Sequence, residues 1–124
     1  MKQSISTDQA PNPTHLLSQA IISGDTIYVA GQVYNTADGT IINGSTTEKL
    51  AQIMKNITAI LEAAGAKIDN IVKVVIYVTD MAQMPELNAA YPGYFTAPYP
   101  VREAICVKEL PLGATIEISV TAVK

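Results

Sequence analysis

In 124 residues the chain has one cysteine, one histidine, one arginine, one phenylalanine and no tryptophan. The single Cys106 excludes an intrachain disulfide and any multi-cysteine zinc or iron–sulfur site, and it fits a reducing compartment. His15 is the only histidine and lies in a polar stretch near Pro11 and Pro13, so it reads as a solvated or packing residue rather than a catalytic base. One histidine and one cysteine do not make a metal-ligand set. No glycine-rich loop has Walker or Rossmann spacing, so the usual cofactor signatures are missing as well. The N-terminal stretch lacks the basic-then-apolar order of a secretory signal, and no apolar run approaches the ~18 residues of a membrane span. A soluble, cytoplasmic protein is expected.

Positive charge is scarce too. Eight basic residues face eleven acidic ones, for a net charge of −3 and a pI near 4.9. The seven lysines are scattered, so the chain lacks the basic field that a phosphate backbone requires, and neither nucleic acid nor membrane is an expected partner.

What the chain does have is apolar residues, 48% of the total, enough to build an ordinary core in one domain spanning residues 1–124. Ile21 to Ala30 reads as two strands around Ser23-Gly24-Asp25-Thr26. Two clusters of turn formers, Thr36 to Thr40 and Asn43-Gly44, follow as a surface loop. Ser45 is a plausible N-cap with Glu48 three residues on. Leu50, Ile53, Met54, Ile57, Leu61 and Ala64 then recur at helical spacing until Gly65 stops the helix. Ile71 to Thr79 is a Val/Ile-rich strand, apolar on both faces as a strand inside a sheet should be. A second helix begins between Asp80 and Glu86 and is expected to kink or end at Pro92-Gly93. Val101 to Val107 and Thr115 to Val123 read as a closing pair of strands joined by Leu110-Pro111-Leu112-Gly113. The reading is an α+β fold with two helices on one face of a single sheet, whose other face a further copy of the chain would cover.

The residues that can carry chemistry lie on the last two strands. Period-two alternation puts Arg102, Ala104 and Cys106 on one side of their strand, and Glu117 on a polar strip with Thr115, Ser119 and Thr121. An arginine fork binds a small carboxylate in fixed geometry, and a nearby carboxylate orients or deprotonates water, so Arg102 and Glu117 flanking a common cleft would suit a small carboxylic acid. The plainer alternative makes Arg102 an ion-pair residue and Glu117 a solvated strand residue. Cys106 reads as a small hydrophobe rather than a thiol nucleophile, and Asn88 on the second helix as a ligand donor or a solvated amide.

Several stretches resemble the RidA (YjgF) family over about a hundred residues: Ala30-Gly31-Gln32-Val33, Leu61 to Ala66, Ile71 to Asp80, Leu87 to Tyr91, Pro100-Val101-Arg102, Leu110-Pro111 and Ile116-Glu117-Ile118. The resemblance implies a mixed-sheet, chorismate-mutase-like fold assembled as a homotrimer, with clefts between subunits and no metal or organic cofactor. It implies hydrolysis of 2-aminoacrylate-like enamine and imine products of pyridoxal-phosphate enzymes to 2-keto acids and ammonia. By the same resemblance Arg102 clamps the substrate carboxylate, Glu117 positions water, Asn88 lines the cleft, and backbone near Gly31 and Ala104 completes it. Three cleft positions that are polar in the family are apolar here: Leu17 in place of tyrosine, Ala30 in place of serine and Ala104 in place of cysteine, with Cys106 one step further along the same face. These departures imply a shifted substrate preference. The alternatives are a non-catalytic trimer holding small carboxylates such as 2-keto acids, and a ribonuclease or translation inhibitor, which the acidic charge opposes.

Overall fold

The computed structural model describes residues 1–124. Six strands form one mixed sheet: β1 (Lys2–Ile5), β2 (Ala20–Ser23), β3 (Thr26–Gln32), β4 (Ile71–Val78), β5 (Val101–Cys106) and β6 (Ile116–Val123), in the spatial order β1-β2-β3-β6-β4-β5. Two helices, α1 (Thr46–Ala63) and α2 (Met84–Ala90), pack on one face of it.

Helix α1 is built as the periodicity predicts. The Ser45 side chain accepts from the Glu48 N–H at 3.2 Å, and Glu48 Oε1 accepts from the Ser45 N–H at 3.1 Å, so two orphan donors of the first turn are satisfied. Leu50, Ile53, Ile57, Ile60 and Leu61 are fully buried against the sheet. Gly65 turns the chain away at φ +76°, a conformation glycine takes without a Cβ penalty. Helix α2 is short. Pro92 lacks the N–H that would continue the α-helical ladder, and a 3₁₀ turn over Tyr91–Tyr94 replaces it.

Strand β6 alternates strictly: Ile116, Ile118, Val120 and Ala122 are buried beneath the helices, while Glu117, Ser119 and Thr121 point to the opposite face. That second face is uncovered in the chain and carries Tyr28, Val101 and Ile105, exposed by 54%, 67% and 40%. Here the sequence reading needs two corrections. The last two strands are not neighbours: β4 lies between them, antiparallel to β6 and parallel to β5. The α2 crossover delivers β5 parallel to β4, which leaves the Leu110 to Gly113 segment to carry the chain across β4 rather than turn a hairpin. The N-terminal residues also form a strand, β1, which pairs antiparallel with β2; Lys2 to Ser4 are polar and exposed, and no apolar alternation marks them.

Candidate active site

The eight residues singled out in the sequence separate into two groups. The first is an arginine platform on the helix-bearing face of the edge strand β5. Arg102 pairs with buried Val74 in the parallel register, and Ala104 and Cys106 pair with buried Ile76 and Val78, so all three point toward the helix side. Arg102 Nη1 donates to Asn88 Oδ1 at 2.8 Å. Its guanidinium carbon lies 4.8 Å from the centroid of the Tyr91 ring. Asn88 and Tyr91 are three residues apart on the turn that ends α2 and hold the guanidinium by edge and by face. The remaining guanidinium N–H groups stay available to an anion. Burial pushes the Tyr91 hydroxyl up, with the Arg102 charge opposing, and that hydroxyl has no hydrogen-bond partner. The Cys106 thiol is exposed at the end of the same row.

The second group forms a cleft of about 340 Å³ around Glu117, lined among others by Leu17, Ala30, Gly31, Gln32, Pro111 and Leu112. The β3–β6 register shifts between Val29 and Gln32, and the irregularity brings Gly31 against Glu117. A Cβ on Gly31 would stand 3.0 Å from Glu117 Cδ, so the missing side chain is what lets the carboxyl lie against this backbone. Burial pushes the Glu117 carboxyl above its ordinary range. The far wall is held by Gln19, which is 1% exposed. Its carboxamide accepts from the Thr7 N–H at 2.7 Å and donates to the Thr7 carbonyl at 3.0 Å and the Pro11 carbonyl at 2.8 Å, tying the incoming segment beside the cleft.

The common cleft expected for Arg102 and Glu117 therefore does not form within one chain. Their side chains leave opposite faces of the sheet, and β4 separates their strands. Reading the last two strands as a hairpin is what made the pair look adjacent. Sequence reasoning also passed over Tyr91, Gln19 and Leu112. Tyr91 had a signal, the i+3 spacing from Asn88; Gln19 and Leu112 had none, because their roles depend on segments distant in sequence.

A family model described as Endoribonuclease L-PSP matches residues 7–124. A RutC family protein of Aquifex aeolicus is 44% identical over 123 residues, covering 97% of this chain and 98% of its own length. The human 2-iminobutanoate/2-iminopropanoate deaminase is 34% identical over 125 residues, covering 100% of this chain and 91% of the human protein. The crystal structure of RidA from an Antarctic Psychrobacter superposes with a TM-score of 0.93 at 33% identity, over 98% of this chain and 99% of that one. The chain belongs to the RidA (YjgF) family.

This RidA-family chain presents an arginine platform at a sheet edge and an acid-bearing cleft on the reverse face. It gathers no group of three or more His, Cys, Asp or Glu side chains able to hold a metal ion. No helix is long and apolar enough to cross a membrane.

Proposed function

We propose that the chain hydrolyses reactive 2-imino and 2-enamino acids to 2-keto acids and ammonia, in sites completed between copies of itself. The observation that carries this reading is the pair of half-sites. One is a fixed guanidinium with free donors at the exposed β5 edge, and the other is a half-buried carboxyl in a cleft on the opposite face. Neither is sufficient alone, and each supplies what the other lacks. The human relative is named for this chemistry, as a 2-iminobutanoate/2-iminopropanoate deaminase.

In the proposed site Arg102 of one copy grips the substrate carboxylate, its fork geometry fixing the imine carbon relative to the cleft of the next copy. Glu117 in that cleft accepts a proton from water as the oxygen adds to the imine carbon, and the proton passes to nitrogen. The carbinolamine so formed loses its hydroxyl proton to the nitrogen, by way of Glu117, as the C–N bond breaks and the C=O bond forms, releasing ammonia and the 2-keto acid. Because burial raises the Glu117 pKa, its carboxylate is a stronger base than one in open water. The apolar residues Leu17, Ala30 and Ala104 make the walls less polar and shift preference toward substrates less polar than 2-aminoacrylate. The family model bears an endoribonuclease name, but a net charge of −3 with one arginine fits a small carboxylate and not a polyphosphate chain.

The second reading, a trimer that binds 2-keto acids without turning them over, is favoured by the loss of polar groups at those three wall positions. One assay separates the two. A pyridoxal-phosphate serine or threonine dehydratase generates the imine, and keto-acid formation is followed with wild type, Arg102→Ala and Glu117→Ala. Hydrolase activity requires acceleration by wild type and a loss of about a hundredfold or more in both variants. No acceleration, with 2-keto acid binding abolished only by Arg102→Ala, leaves the binding protein.

A further inference from the structure

The cleft around Glu117 has a rim that the fold holds at a conformational cost. Leu112 sits at φ +61° and ψ +20°, the left-handed region, and is the only residue other than glycine in the chain with a positive φ. The adjoining Gly113, at φ +69°, takes this conformation freely; a leucine pays for its Cβ. Burial within its own chain does not compensate, since Leu112 is 65% exposed there and lies outside the core. A strained backbone that holds an exposed apolar side chain at the mouth of a cleft points to a role in that cleft. Leu17, itself 45% exposed, stands on the same lining, as do Pro11, Pro13 and Pro111. Rigid rings and two leucines thus surround a single carboxyl group.

We infer that Leu112, with Leu17 and Pro111, forms an apolar subsite for the substrate's side chain, making branched aliphatic 2-imino acids better substrates than 2-iminopropanoate. This rests on the imine-hydrolase reading above and adds the substrate class. The carboxylate end of the substrate is fixed by Arg102 and the reacting carbon faces Glu117. The side chain on that carbon is then the part that reaches the rim. Each methylene packed there strengthens binding to the transition state, and a small substrate leaves the rim in contact with water.

The test uses an L-amino-acid oxidase to generate imines from leucine and from alanine, with keto-acid release followed in the presence of the intact protein. The variants are Leu112→Gly and Leu112→Asn, both of which tolerate the left-handed backbone and so retain the fold. Wild type is expected to prefer the leucine-derived imine by about tenfold in kcat/KM, and each variant to lose most of that preference. Hydrolysis of both imines with the ratio unchanged in the variants overturns the subsite and leaves the hydrolase standing. So does a wild-type preference for the alanine-derived imine. A variant whose mass by light scattering changes while its selectivity does not assigns Leu112 to a subunit contact, which also overturns the subsite. If wild type accelerates neither imine, the hydrolase reading falls and the subsite with it.

Discussion

Glu117 and Arg102 differ in how much their surroundings alter them. The neighbours of Arg102 fix its direction: Asn88 holds one edge and Tyr91 one face. Glutamate titrates, and partial burial raises its pKa. Hydrolysis by the proposed mechanism needs the ionised carboxylate, so activity falls as pH drops through that raised value. The acid limb of the kcat/KM profile is therefore expected above the ordinary glutamate range, and Glu117→Gln should leave a low residual rate with no acid limb. A limb at the ordinary value would mean that burial is relieved in the working site. Both residues were legible in the sequence as chemistry-bearing groups. Their separation on opposite faces was not, because alternation gives the parity of a residue within its strand, whereas its orientation relative to another strand depends on which strands pair.

Among the elements, α1 was read almost whole and α2 with its early stop, since capping residues, periodic apolar positions and proline act locally. The capping box makes a local prediction: Ser45→Ala should cost about 1 kcal/mol in urea unfolding, with the slope of the transition unchanged. The same helix end has a non-local support that no spacing reveals. Glu86, in the first turn of α2, accepts from the Thr47 N–H at 2.8 Å and from its hydroxyl at 2.9 Å. These bonds, the backbone one foremost, hold the Glu86 carboxyl below its usual range. A carboxyl whose folded pKa is depressed stabilises the fold above its unfolded value, and that contribution is lost as pH falls through the folded one. Glu86→Gln should therefore lower the denaturation midpoint at neutral pH, and the difference should close in acid. A difference that persists unchanged into strong acid would remove the carboxylate from the account. Among the strands, β4 was legible as an interior strand from its two apolar faces. β1 was not, because a polar edge strand is stabilised by pairing with β2 rather than by its own pattern.

For the molecule as a whole, the position of the half-sites constrains the assembly. In the assembly we propose, the site joins the β5 edge of one copy to the Glu117 cleft of the next, and repeating that head-to-tail contact about a three-fold axis would close a ring with three such sites. The proposed trimer of 13.2 kDa chains should scatter light as a particle of about 40 kDa. Co-expression supplies a stricter test. Arg102→Ala and Glu117→Ala chains are each inactive alone, but a randomly mixed ring pairs an intact arginine with an intact glutamate in about a quarter of its sites. Activity near that fraction of wild type is expected. A mixed assembly with no recovered activity would put both groups on one chain and contradict the half-site account. The uncovered sheet face, with Tyr28, Val101 and Ile105 exposed, supplies apolar surface for such a ring to bury.

The sequence by itself determined what short-range physics controls: the exclusion of an intrachain disulfide and of a multi-cysteine metal site by a single cysteine, the capped helix α1, the broken α2, the interior strand β4 and the two charged side chains worth testing. Tertiary structure decided everything that depends on order across the sheet. Pairing Arg102 with Val74 and Glu117 with Tyr77 across β4 set the two charged side chains on opposite faces, the irregularity in β3 fitted Gly31 to the Glu117 carboxyl, and the crossover after β5 left Leu112 strained at the cleft mouth. Each of these is a contact between residues far apart in the chain, and no local pattern encodes which strand a given strand will choose as its neighbour.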